Sequence, residues 1–224
     1  GLGDVYKRQL VFNLPGLSQE GHTTRVYQNI VEHNNTDNFA PRGTAVASVP
    51  AGSGIVINSN DHVEIFDNLI SDNRTANIII SSYFSAGYAG DTALPDSFDP
   101  YPESIFIHDN RFNGGGDNPD LLELKALRLS VFGIGGSLPD ILWDGVYNPA
   151  LASNGQLAAE HSICIDNGDA ELVNVDAGNG YKNISTNIEP HLCEHQPLPM
   201  VELSLDELNS VSYTHLRAHE TSDY

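Results

Sequence analysis

Val26-Tyr27-Gln28-Asn29-Ile30-Val31-Glu32-His33-Asn34 recurs twice further along the chain, as Ile65-Phe66-Asp67-Asn68-Leu69-Ile70-Ser71-Asp72-Asn73 and as Ile107-His108-Asp109-Asn110-Arg111-Phe112-Asn113-Gly114-Gly115. Each copy reads apolar, any residue, polar, Asn, any residue, apolar, polar, polar or Gly, then Asn or Gly. The asparagines Asn29, Asn68 and Asn110 are 39 and 42 residues apart, and Ile163-Cys164-Ile165-Asp166-Asn167 is a weaker fourth copy. Apolar residues two apart give a short strand one buried face. Asn tolerates the left-handed backbone of a sharp corner, and its amide can bond the backbone there. If such units stack about 4.8 Å apart, equivalent asparagines superpose and can form a hydrogen-bonded ladder. The pattern therefore predicts an all-β fold, a right-handed parallel β-helix (solenoid), with Asn29, Asn68 and Asn110 in the ladder.

Working outward, residues 54–59 (GIVINS) and 77–83 (NIIISSY) read as further strands. Long excursions rich in Gly, Pro, Asp and Ser occupy residues 35–52 and 85–103. Loops of that length in a compact domain are commonly functional or disordered. Beyond Pro119 the repeat degrades. Residues 121–127 (LLELKAL) form the best helix candidate, having good helix formers and no Gly or Pro. The expected organisation is thus 10–119 as stacked coils and 120–210 as an end-cap or appendix closing them.

The two ends read differently. Residues 1–9 (GLGDVYKRQ) can be written GGG CTC GGA GAT GTG TAT AAG AGA CAG, and the complementary strand of that DNA encodes Val211-Ser212-Tyr213-Thr214-His215-Leu216-Arg217-Ala218. Two natural termini have no reason to share one oligonucleotide. Residues 1–9 and 211–224 are therefore taken as translated sequencing adapter, and the chain as a fragment.

The net charge is −20 with or without those ends, since Lys7, Arg8 and Arg217 are balanced by Asp4, Glu220 and Asp223. Such a surface repels phosphate backbones, which excludes nucleic acid as a partner. No run approaches the roughly 20 apolar residues of a membrane span. Cys164 and Cys193, the two cysteines, would pair as a disulfide in an exported protein; two buried thiols are the alternative.

The run from Leu10 to Asn73 continuing to IIISSYF (78–84), the block LPDILWDGV (138–146), ICIDNG (163–168), and the NIST…PHLC ending (183–193) resemble exported bacterial parallel β-helix repeat-containing proteins of unknown function. The resemblance implies a periplasmic, lipid-anchored or extracellular location. It also implies a c-type-cytochrome-like protein as partner, because members tend to be encoded beside one.

Chemistry is sparser than architecture. A glycosidase needs two carboxylates converging on one site; Asp67 and Asp109 share a repeat position and would stack, which makes them the catalytic candidates. Arg74 and Arg111, near repeat corners, could meet a carboxylated sugar. Residues 91–103 (DTALPDSFDPYPE) offer Asp96, Asp99 and Tyr101 beside Tyr83 and Tyr88, and rings with carboxylates are how proteins hold sugars. No HxH or HExxH spacing occurs, so no metal site is expected, with calcium the one ion in keeping with the acidity. These readings favour a carbohydrate- or partner-binding scaffold, polysaccharide being the expected ligand. The alternative is a polysaccharide lyase or glycoside hydrolase acting on a surface groove.

Overall fold

The computed structural model describes residues 9–18, 21–86 and 93–200. Five strands build the first sheet: β1 (Gln9–Phe12), β4 (Ser53–Asn58), β7 (Ala76–Ser81), β10 (Ile141–Trp143) and β14 (Leu172–Asn174), in that spatial order. The second holds β2 (His22–Tyr27), β5 (Asp61–Phe66), β8 (Glu103–His108) and β13 (Ile163–Asp166). The third holds β3 (Ile30–Glu32), β6 (Leu69–Ser71) and β9 (Arg111–Asn113). Every pairing within these sheets is parallel. A helix, α1 (Leu122–Phe132), precedes β10, and a short antiparallel pair, β11 (Ala152–Ser153) with β12 (Gln156–Leu157), precedes β13.

The expectation of an all-β right-handed parallel β-helix is corrected by this arrangement. The described chain is mainly β, built as three parallel sheets with a small antiparallel sheet and one eleven-residue α-helix. The helix forms because LELKALRLSVF has no Gly or Pro and is rich in helix formers. The sheets are also unequal: the third ends at β9, whereas the first gains β10 and β14 and the second gains β13. Residues after Pro119 extend the sheets, since β10 and β13 pair directly with β7 and β8. Of the stretches read as adapter, Gln9 pairs with Ile55 in β1; residues 1–8 and 211–224 lie outside the described residues.

The core follows from register. Ile55, Ile78 and Ile141 lie opposite one another across the first sheet, as do Val63, Ile105 and Ile163 across the second, and all are buried in one cluster. β-Branched side chains suit a pleated surface covered on its inner face. Each fully buried isoleucine contributes about 2–3 kcal/mol of transfer free energy.

The corner between the second and third sheets carries a row of amides. Asn29 Nδ2 donates to Asn68 Oδ1 at 3.0 Å, Asn68 Nδ2 to Asn110 Oδ1 at 2.9 Å, and Asn110 Nδ2 to Asn167 Oδ1 at 3.0 Å. The backbone N–H groups of Asn29, Asn68 and Asn110 donate to the same three oxygens. The left-handed residue is the one before each asparagine: Gln28, Asp67 and Asp109 have φ of 56°, 53° and 52°. A second row joins Asn34 to Asn73, Asn73 to Asn77 and Asn77 to Asp140, at 2.9, 3.0 and 3.1 Å.

Replacing Asn68 by Ala removes the acceptor of the Asn29 N–H and of one Asn29 amide hydrogen, and the donor to the Val26 and Phe66 carbonyls. Each buried polar group left unpaired costs about 1–3 kcal/mol. Asn68→Ala is expected to lower stability by about 3 kcal/mol and Asn29→Ala, at the end of the row, by about 1 kcal/mol. Urea midpoints read the difference, and equal losses would refute a cooperative row.

Candidate functional site

Side chains alternate along β4, β7 and β10, so the residues between the core isoleucines point outward. Leu10, Val56, Ile79, Leu142 and Val173 form one register-matched apolar column on that outer face. Two positions on, Asn58 lies opposite Ser81, and Asp144 follows β10 at the same level. An apolar stripe therefore runs beside a polar row across the strands. Residues 42–50 and α1 provide walls, with Val49, Leu127 and Leu138 packed in a second buried cluster on the stripe. Between them lies a groove of about 950 Å³, floored by Val56, Ile79 and Leu142, with Arg42, Glu123 and Asp144 as its charged lining.

Asp144 is 4 % exposed. Its Oδ2 accepts from the Ser82 N–H and the Ser85 hydroxyl, both at 2.6 Å, and its Oδ1 from the Val146 N–H at 2.9 Å. Burial pushes its carboxyl above the usual aspartate range, against the pull of those donors. Gly145, at φ 75°, lets the chain turn away directly; a Cβ there would strike the Asn174 amide. The bonds to Ser82 and Ser85 also tie the start of the 85–103 excursion to the end of the groove.

Within that excursion the expected sugar-binding rings pack on one another. Tyr83 meets Phe98 edge-on at 5.3 Å and Phe84 at 6.3 Å, and Phe84 lies 5.6 Å from Tyr101. Asp99 Oδ1 accepts from the Tyr101 N–H at 3.0 Å, which fixes the turn, while Asp96 is exposed. Tyr88 lies outside the described residues. Glu103, buried at the start of β8, has an oxygen without a hydrogen-bond partner and its other oxygen 3.4 Å from His161 Nδ1. Burial first, and Asp99 second, raise its carboxyl from an ordinary 4.5 to about 7.

Asp67 and Asp109 are exposed corner residues. β8 separates Asp109 from Glu103 and the 93–103 loop by six strand residues, or about 20 Å, so the expected carboxylates do not converge on one reaction centre. Arg111 is exposed at the start of β9. Arg74 is committed to structure: its Nη2 is 3.0 Å from Asp37 and 3.7 Å from Asp120.

The outer face of the second sheet is different. Tyr27, Phe66 and His108 stack as parallel rings at 5.0 and 5.2 Å. Beside them Arg25, Glu64, Phe106 and Cys164 form a register-matched column. The segment 193–198 lies along that column, fixed by the Cys164–Cys193 disulfide, by Leu198 N–H to Glu64 Oε2 at 3.1 Å, and by Arg25 Nη1 to the Leu198 carbonyl at 3.3 Å. His108 lies 3.2 Å from Glu64 Oε1 and 2.8 Å from Asp109 Oδ2. Among the described residues no group of three or more His, Cys, Asp or Glu is placed to hold a metal ion.

Sequence reasoning reads Trp143-Asp144 as a packing anchor and not as a site, and it does not find the Glu64–His108 pair, which only strand pairing brings together. Compared with family models, with curated proteins and with solved structures, the chain gives no match.

The raised pKa of Glu103 has a definite sign for stability. Its folded value exceeds its unfolded one, so the stability it contributes is complete below about pH 4.5 and is lost as pH rises through about 7. Glu103→Gln mimics the protonated form at all pH. Its stability relative to the parent is expected to grow by up to about 3 kcal/mol between pH 4.5 and 8, read from denaturation midpoints across that range. A difference independent of pH would mean that Glu103 titrates normally.

Proposed function

We propose that this chain is a binding scaffold, and that the groove on the outer face of its first sheet holds an elongated ligand with an apolar flank and a polar flank. The observation that carries the reading is the groove itself: about 950 Å³ beside the apolar stripe, with a polar row along one edge. Ligand sites are characteristically clefts of roughly 300–1,000 Å³, mostly apolar, with a few fixed polar groups. Asn58 and Asp144 are such groups, both buried and held by hydrogen bonds.

The geometry favours an amphiphile over the polysaccharide expected from the sequence. Of the aromatic group that could stack on sugar, Phe98 is buried, Tyr83 and Tyr101 are half-buried and Phe84 alone is exposed, whereas the groove offers a continuous apolar stripe. A hydrolase or lyase draws less support, because Asp67 and Asp109 stand about 20 Å from the acidic loop. The Cys164–Cys193 disulfide supports work in an oxidising compartment after export.

Titration with N-phenyl-1-naphthylamine, a neutral fluorophore that brightens in apolar surroundings, is expected to saturate at one site, with dodecanol displacing it. Ala47→Trp and Ala126→Trp project bulk from the two walls into the groove and are expected to weaken binding at least tenfold with little change in fold. Soluble oligosaccharides should not compete. Binding unaltered by both tryptophans, or no saturable binding to the parent chain, overturns the proposal.

A further inference from the structure

We propose that the ligand of the groove is cationic: an alkyl-ammonium amphiphile whose body lies on the Val56–Ile79–Leu142 stripe and whose ammonium group hydrogen-bonds to Asp144. This inference rests on the binding reading above and adds the charge of the ligand to it.

Three observations carry it. First, Asp144 lines the groove yet is almost wholly buried, and its partners Ser82, Ser85 and Val146 are all neutral donors. Among the described residues no Lys, Arg or His forms an ion pair with it. A buried carboxylate is ordinarily paired with a cation or left protonated, and its upward-displaced pKa shows that the neutral donors do not compensate burial. A ligand cation would supply the missing charge.

Second, the acceptor arithmetic leaves a place for it. A carboxylate offers about four lone-pair sites. Two donors are placed on Oδ2 and one on Oδ1, which leaves Oδ1 the less occupied oxygen. The Ser82 hydroxyl also reaches the carboxylate, and it can turn to the Ser85 hydroxyl 3.4 Å away when an ammonium N–H arrives. The group is also fixed in advance, being tied to the 82–86 segment on one side and to its own turn on the other. Little ordering would be required on binding.

Third, the electrostatics around the groove agree in sign. The other charged lining groups are Glu123 on α1 and Arg42 on the opposing loop, which balance one another. Asp144 thus decides the local sign, and the net charge of −20 draws cations toward the surface. A carboxylate-headed amphiphile would meet both the buried Asp144 and this field unfavourably.

The chain-matched series dodecylammonium, dodecanol and dodecanoate separates charge from apolar contact. Each is titrated calorimetrically at pH 8, below its micelle concentration. The expected order is ammonium tightest, alcohol at least tenfold weaker and carboxylate weakest. In Asp144→Asn the preference for the ammonium over the alcohol, measured as the ratio of the two affinities within that variant, is expected to fall from at least tenfold to about unity. Alcohol and ammonium binding equally to the parent chain overturns the charge inference and leaves the groove reading standing, and this comparison needs no variant to fold. An ammonium preference that survives in Asp144→Asn also overturns it. Absence of binding by all three overturns both readings together.

Discussion

The hydrogen bond that each corner asparagine passes to the next is the constraint on which the rest depends. A primary amide buried at a sharp corner is costly unless its oxygen and both N–H groups find partners. Here Asn68 and Asn110 find them in the tiers above and below, because Asn29, Asn68, Asn110 and Asn167 occupy equivalent positions. A slip of one residue would break that row and would turn every inward isoleucine to solvent. The amide row and the isoleucine columns therefore enforce the same register, the first by polar satisfaction and the second by burial.

Once register is set, the outer faces follow without further choice. Whatever residues stand between the core positions become continuous columns. On the second sheet these are rings beside the Arg25–Glu64–Phe106 column, and the chain's own segment 193–198, pinned by the disulfide, covers part of them. On the first sheet the column is apolar, and α1 with residues 42–50 covers it incompletely. The groove is the space those two covers leave. α1 is itself apolar on more than one side: Leu127 is buried on the sheet, while Leu122 and Leu129 are exposed. Such a helix gains its stability from packing against the sheet rather than from a clean amphipathic pattern.

Legibility differed residue by residue. Asn29, Asn68 and Asn110 were readable because their partners are copies of themselves at a fixed period, so one-dimensional spacing already contains the contact. Cys164 and Cys193 were readable as a pair by count alone. The second amide row was half readable: Asn34 and Asn73 are repeat positions, but Asn77 and Asp140 join them from other elements. Asp67 and Asp109 each follow a register-matched strand end, yet that position is an exposed corner, and strand length separates it from the acidic loop. Tyr83 and Tyr101, read as sugar-binding rings, make edge-on and tilted contacts with Phe98 and Phe84, which no spacing along the chain announces.

The sequence by itself marked the repeat strands, the corner asparagines, the one pair of cysteines and the helix after Pro119. Those features rest on local preference or on repetition, both of which are written along the chain. Tertiary structure alone decided that the strands form three unequal parallel sheets with a helix laid on one of them, rather than a uniform all-β stack. It also decided that Asp144, from one strand end, meets Ser82 and Ser85 from the end of another. The physical reason is that these contacts join unlike residues 59 and 62 positions apart, where no repeat marks the partner and only the completed register brings them to one edge of the groove.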